Sequence, residues 1–292
     1  MRIAVLTRLP SYYSQQRLSE EAKKRGHDVQ MVNYQKCYVT LDGAKSEARY
    51  EGKSLQDIDA VIPRLMTGTV SYGATITRQL EVAGVYTTVS SVAITRTFDR
   101  ARALQVLNRS GVPIPKTIVA RDADQWGELL DHFELPLMIE SVSTTKGSGP
   151  VLIESAKAAT AVTRAIGGGT PFIMQERMGD DSVDIAAMVV GGRVVSSVKH
   201  AIVAAKTSTP ATAVRVTADE NKIILRAAKA LGLTICSVQI IRSAQGTYVI
   251  GADATPSLEL FEHATNRNVA EKIIEYIELH AKRRNKKDRV GA

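Results

Sequence analysis

The stretch Pro136-Leu-Met-Ile-Glu140-Ser-Val-Ser-Thr-Thr-Lys146-Gly147-Ser-Gly149 has the makings of an anion site with one opposing charge. Glycines between two apolar runs let backbone N–H groups turn toward a common point, and such groups attract phosphate oxygens. Lys146 adds a cation to the loop. Glu140, at the end of the first apolar run, works against it, because a carboxylate repels the same oxygens. The pattern predicts a strand, a phosphate-type loop and a second strand from Val151.

Other candidates are weaker alone. Glu176, within Gln175-Glu176-Arg177-Met178, and Asp184 flank apolar runs, where single acids are usually solvated strand ends. Asp253 precedes Ala254-Thr-Pro256, a position suited to capping a turn. Cys37 and Cys236 are far apart and fit no metal spacing, so buried, reduced thiols are expected. His27, His132, His200, His263 and His280 are equally scattered and form no metal motif.

The elements that must carry these residues follow from hydrophobic periodicity. A strand from Arg2 to Thr7, a helix around Gln15 to Lys24 stopped by Gly26, and a strand from His27 to Val32 make a βαβ opening. A buried strand at Asp59 to Pro63 and a helix from Tyr72 to Val82 complete a small doubly wound α/β unit over residues 1–90, without a dinucleotide glycine fingerprint. One helical pattern runs from Ser91 to Arg109, with Ala103, Leu104 and Leu107 on a face. A second unit, 91–171, alternates strands and helices, with Ala158, Ala159, Val162, Ala165 and Ile166 sharing a face. A third, 172–281, opens at Phe172 and is rich in strands, including a hairpin turned at Gly191-Gly192. Its helix from Ala218 buries Ile223, Ile224, Ala227 and Leu231, and a final helix turns Val269, Ile273 and Ile277 inward.

With 292 residues, 44% hydrophobic and 23% charged, the chain has enough apolar surface for two or three packed units. No run of about eighteen apolar residues spans a bilayer, and the strand-like start lacks a cleavage signature, so a cytoplasmic location is expected. The formal charge is +8, but Lys282 to Arg289 carries six bases and one acid, so five of those charges sit in a frayed basic tail, 282–292. That distribution weighs against a nucleic-acid partner, and no membrane partner is expected.

Several strings, taken in order, carry a resemblance: Tyr13-Ser14 with Arg17-Leu18, Asp59-Ala-Val-Ile-Pro-Arg64, Tyr72-Gly73 with Arg78-Gln79 and Glu81, Gly111 with Pro115, Gln175-Glu176, Asp184-Ile185, Ala228-Lys-Ala-Leu231, and Ala254-Thr-Pro256 before Leu258-Glu259. Across nearly the whole chain they resemble the ATP-grasp superfamily and, within it, the ribosomal protein S6 glutamate ligase (RimK) family. The resemblance implies an α/β (α+β) ATP-grasp fold, with an N-terminal pre-ATP-grasp domain and two α/β lobes enclosing ATP. It also implies phosphorylation of a carboxylate and attack by an amine, adding glutamate to a protein C-terminus.

By the same resemblance, the backbone of Gln175, Glu176, Arg177 and Met178 meets the adenine edge and Asp184 receives the ribose hydroxyls. Lys146, Gly147, Gly149 and Arg100 belong to the phosphate half. Four positions depart from the pattern: Glu140 replaces a phosphate-binding lysine, Ala186 an arginine, and Gln239 and Gly251 two acidic magnesium ligands, leaving Asp253. Two charges about 4 Å apart interact by roughly 4 kcal/mol at an effective dielectric near 20, so Lys-to-Glu turns attraction into comparable repulsion. The expected cofactor is therefore ATP or ADP, weakly held, without tightly bound magnesium.

Three functions compete. The first is a catalytically impaired nucleotide-binding or regulatory scaffold, forming homo-oligomers or pairing with an active paralogue, with Tyr12, Tyr13, Tyr72 and Phe261 as candidate contact or core positions. The second is an active ATP- and magnesium-dependent carboxylate–amine ligase, taking a protein C-terminal tail as acceptor and using Asp253, Glu259 and Lys146 in place of the lost groups. The third is a basic scaffold bound to ribosomes or RNA through the tail.

Overall fold

The computed structural model describes residues 1–43, 45–121, 126–142, 149–166, 170–179, 182–199 and 210–287. The chain opens with β1 (Arg2–Leu6), α1 (Tyr13–Lys24) and β2 (Asp28–Val32). A meander of β3 (Cys37–Asp42), β4 (Lys45–Tyr50) and β5 (Lys53–Ser54) follows, then β6 (Ala60–Pro63), α2 (Val70–Val82) and β7 (Tyr86–Thr87). Strands β2-β1-β6-β7 form a parallel sheet. Ile3, Ala4, Val5 and Leu6 in β1 and Ala60, Val61 and Ile62 in β6 are all buried, the continuous apolar run of strands covered on both faces. The meander has no counterpart in the sequence reading, because its strands are largely polar and half-exposed.

Where one helix is expected from Ser91 to Arg109, there are two: α3 (Ser91–Phe98) and α4 (Arg100–Arg109). Asp99 between them is extended, at φ −83° and ψ 96°. Its Oδ1 accepts a hydrogen bond from Arg102 N at 3.0 Å, capping α4. The break makes Arg100 the first residue of a new helix and sets its direction.

The central unit runs β8 (Thr117–Ala120), α5 (Trp126–Leu130), β9 (Leu137–Ser141), β10 (Val151–Ile153), α6 (Ala156–Ile166) and β11 (Phe172–Glu176). Its antiparallel sheet has the order β10-β9-β11-β8 around Leu137, Ile139, Ile153, Phe172 and Met174. This corrects the expected division at residue 172. Phe172–Glu176 does not open the C-terminal lobe but lies between β9 and β8, since pairing on both edges satisfies its backbone there.

The last unit comprises β12 (Val183–Val190), β13 (Arg193–Lys199), β14 (Thr212–Ala213), α7 (Ala218–Leu231), β15 (Ile235–Ser243), β16 (Gly246–Asp253), α8 (Leu258–Thr265) and α9 (Val269–Lys287). Strands β14-β13-β12-β15-β16 form one antiparallel sheet. The hairpin between β12 and β13 uses positive φ at Gly191 (59°) and Gly192 (76°), as expected from the paired glycines. Ile224, Ala227 and Leu231 of α7 are buried, as are Val269, Ile273 and Ile277 of α9. Asn266, left-handed at φ 53°, ends α8 and separates it from α9, and the backbone of the expected frayed tail stays helical to Lys287.

The N-terminal unit is tied to the C-terminal lobe. Leu18 and Val5 share a core cluster with Met188, Phe261 and Ile277. Glu262 Oε2 accepts from Arg17 Nε at 3.1 Å and from Tyr13 Oη at 2.9 Å. Phe261 is thus core, while Tyr12, at 56% exposure, and Tyr72, at 43%, stay open, the latter donating to the Cys37 carbonyl at 2.6 Å. Both cysteines are free and buried, and burial pushes the Cys37 thiol up to about 12. Among the described residues, no helix is long and apolar enough to cross a membrane.

Candidate nucleotide cleft

Between the central sheet and the C-terminal sheet lie two adjoining cavities, which share Met138, Pro150, Glu176 and Ile241. The outer one, of about 340 Å³, is bounded by Leu152, Arg177, Met178, Gly179, Ser182 and Asp184. Glu176 ends β11, so the chain leaves the sheet there and passes along the cavity wall. The Met178 side chain packs on Ile241, Ile250 and Tyr248 and gives that wall an apolar floor. An apolar slot with an acid at one side, Asp184, suits a flat heterocycle carrying hydroxyls.

The inner cavity, of about 260 Å³, is lined by Arg100, Glu140, Gln175 and Gln239. Arg100 joins them. Its Nε donates to Glu140 Oε2 at 3.1 Å, its Nη2 to Gln175 Oε1 at 3.3 Å, and its Nη1 to the Ile250 carbonyl. Gln175 is held in turn by donating from Nε2 to Thr117 Oγ1 at 3.0 Å. The Ile250 carbonyl is available because the β15–β16 register slips by one residue between Gln239 and Ile240, as a bulge does beside many sites.

Gly251 and Gln239 are paired in register and face this guanidinium. A Cβ at Gly251 would lie 2.6 Å from Arg100 Nη1 and 3.1 Å from Gln239 Oε1. Glycine here allows the guanidinium its close approach and has no left-handed φ to accommodate. Ala186, one strand further on, is buried opposite Gln239.

The structure therefore brings together Arg100, Glu140, Gln175, Gln239 and Gly251, and beside them Glu176, Arg177, Met178 and Asp184. One expectation needs adjustment, and the turn-capping place expected for Asp253 agrees with its bonds. Glu140 does not stand as an isolated negative charge at the root of the loop; its carboxylate pairs with Arg100 at 3.1 Å. Asp253 is engaged locally: its Oδ1 accepts from Thr255 N at 2.7 Å and from Thr255 Oγ1 at 3.2 Å. Gly149 lies at the edge of the described loop, in open space. Lys146 and Gly147 lie outside the described residues.

Magnesium takes hard oxygen ligands in octahedral array. At the positions that the resemblance gives to the metal, Gln239 offers an amide oxygen, Gly251 no side chain and Asp253 a carboxylate bonded within its turn, while Glu140 on the cavity wall is paired with Arg100. Among the described residues, no group of three metal-ligating side chains comes together.

A third cavity, of about 620 Å³, was not singled out by the sequence reading. It lies where the loop after β1, the end of β6 and the loop after β16 meet, and Arg64, Gln15, Asp253 and Glu259 line it. Arg64 Nη1 donates to the Pro256 carbonyl at 2.8 Å, while Nε is shut off from solvent with no partner. Burial lowers the Arg64 pKa to about 10, opposed by the Asp253 charge. The Gln15 Oε1 is likewise buried without a partner. The available signal was a cation directly after the buried strand Ala60–Pro63.

Comparison with known proteins places the fold and the family. Among solved structures, the ATP-grasp ligase PsnB complexed with minimal precursor, Mg and ADP superposes with a TM-score of 0.76 at 17% identity, covering 96% of this chain and 98% of that one. The D-alanine–D-alanine ligase of Bacillus anthracis complexed with ATP gives 0.73 at 15% identity, covering 98% of each. The fold is thus the ATP-grasp fold, with an N-terminal pre-ATP-grasp domain. Residues 1–94 match the RimK pre-ATP-grasp domain and residues 97–277 the RimK-like ATP-grasp domain. A probable alpha-L-glutamate ligase of Teredinibacter turnerae is 36% identical over 298 residues, 99% of each chain, and one of Ectopseudomonas mendocina 37% over 290 residues, 96% of each. This chain belongs to the RimK family of ATP-grasp proteins.

Proposed function

We propose that the protein binds an adenine nucleotide and a carboxylate-bearing acceptor in the RimK manner but is impaired in transferring phosphate between them, so that it serves as a nucleotide-binding or regulatory scaffold. The observation that carries this reading is the Arg100–Glu140 ion pair beside the side-chain-free Gly251, where the family resemblance calls for a phosphate-binding lysine and two metal-binding acids. Phosphoryl transfer depends almost entirely on positioning and on neutralising charge. ATP, when bound, supplies the phosphoryl group that would activate a carboxylate. In this chain Glu176, Arg177 and Met178 would line the adenine, Asp184 would meet the ribose, and Arg100 would face the phosphates.

Arg64 supports the acceptor part of the reading, since a half-buried, unpaired cation in a cavity is suited to a carboxylate. The neighbouring ligase PsnB is described in complex with a precursor peptide and AMPPNP, which favours a peptide or protein as acceptor. Assembly with copies of itself or with an active paralogue belongs to the same proposal.

A second reading, an active glutamate ligase, is favoured by relatives of that name matching 99% of this chain. One assay separates the two: ADP release by purified protein with L-glutamate, an acceptor peptide and Mg²⁺ or Mn²⁺. The impaired reading expects no substrate-dependent release above that of a Gln175→Ala control. Release that rises with glutamate establishes the ligase.

A further inference from the structure

We propose that Arg100 is the resident cation of this cleft, a specificity-determining residue that lets the site take an adenine nucleotide without a divalent ion. The proposal rests on the nucleotide-binding half of the function proposed above and is independent of whether ligation occurs.

The guanidinium lies where three separately encoded segments converge. It reaches β9 through Glu140, β11 through Gln175 and β16 through the Ile250 carbonyl, so one side chain fastens the central sheet to the C-terminal sheet. Its root is fixed, because Asp99 caps the helix that Arg100 begins. A guanidinium has five N–H donors in a rigid fork, and three are used here. The other two remain for oxygens entering the cavity that Arg100 lines.

The surroundings are matched to a fixed organic cation and not to a metal. A side chain at 251 would push the guanidinium from its present place, because a Cβ there would stand 2.6 Å from Nη1. Gln239 presents a neutral amide, whose oxygen asks for no divalent charge. A magnesium ion placed among these groups would have to displace Arg100 from Glu140 to gain that carboxylate as a ligand. An arginine is suited to phosphate oxygens by its planar, two-pronged geometry, and it brings its charge with the fold instead of with the ligand.

The test is calorimetric titration of the whole chain with ADP, in EDTA and in excess magnesium. The two affinities are expected to agree within about twofold. Tightening by about tenfold or more in magnesium, or no ADP binding in either buffer, overturns the proposal. Arg100→Ala and Gly251→Ala are each expected to weaken ADP by about tenfold, with adenosine within about twofold of wild type, and the double variant is expected to be no weaker than either single one. Arg100→Lys, which keeps the charge but not the fork, is expected to fall between wild type and Arg100→Ala. Losses that add, or an equal loss for adenosine, would mark a merely structural residue and overturn the assignment. The wild-type arm requires no variant and decides the matter even if the alanine proteins do not fold. Substrate-dependent ADP release would sink the impaired-ligation reading while leaving the comparison of buffers to judge Arg100 separately.

Discussion

Arg100 and Gly251 share one volume: the arginine Nη1 sits 2.6 Å from where a Cβ at 251 would stand, so a side chain at 251 would have to push the guanidinium aside. A reversal of the departures from the family pattern must respect this. The triple variant Glu140→Lys, Gln239→Asp, Gly251→Glu on an Arg100 background is expected to be destabilised by roughly 1–3 kcal/mol, as overpacked sites are. Adding Arg100→Lys is expected to restore stability and to give magnesium-dependent ATP binding. Urea unfolding and calorimetry check both. A quadruple variant indifferent to magnesium would mean that these positions are wrongly matched to the family.

Asp99 supports the same residue from behind. Removing its cap by Asp99→Ala is expected to cost about 1 kcal/mol of stability. It should also weaken ADP binding more than adenosine binding, because the first turn that aims Arg100 is loosened. Parallel titrations with the two ligands measure this, and Asp99→Asn, which keeps a capping oxygen, should lie close to wild type.

Two arginines present opposite cases. Arg242 donates to both oxygens of Glu220, at 2.6 and 2.8 Å, and that carboxyl also closes a capping box with Thr217 at the start of α7. Arg242→Met is expected to cost about 2–3 kcal/mol, since it strands a buried carboxylate. Arg64 has no carboxylate within ion-pairing distance among the described residues. Arg64→Met is therefore expected to leave stability within about 1 kcal/mol of wild type while reducing the affinity of any carboxylate acceptor. Denaturant midpoints decide the first part and acceptor titration the second.

Acidification should destabilise the protein in a defined direction. Glu220 is held below the usual carboxylate value of 4.5, first by its bond from Arg242; Glu278 is lowered first by Arg25, and Glu21 first by Asn268. A carboxyl whose folded pKa is depressed contributes stability that is complete above its unfolded value and disappears as pH falls through the folded one. The melting temperature is thus expected to be level from neutral pH to about 5 and to fall steadily below about 4.5. Glu220→Gln should flatten part of that fall. A melting temperature that rises on acidification contradicts the assignment of these three groups.

Much of the scaffold was legible because it rests on local periodicity. β1 and β6 are buried on both faces and appear as continuous apolar runs, while α7 and α9 place apolar residues at helical spacing. The meander from Cys37 to Ser54 escaped notice because half-exposed polar strands carry little periodic signal. The break at Asp99 was hidden inside an unbroken helical pattern, since a capping aspartate costs the pattern only one position. Arg64 went unmarked because its lack of a partner is a property of distant loops.

The sequence by itself determined which side chains are available: an acid at 140, an arginine at 100, an amide at 239 and no side chain at 251. Covalent order also determined the run of strands and helices, because local propensity and hydrophobic spacing act over a few residues. Only the tertiary structure decided that Glu140 is neutralised and not exposed, that β11 completes the central sheet, and that Gly251 makes room for Arg100. Those outcomes depend on charges and van der Waals radii meeting across segments 40 and 150 residues apart, distances over which sequence spacing carries no information about contact.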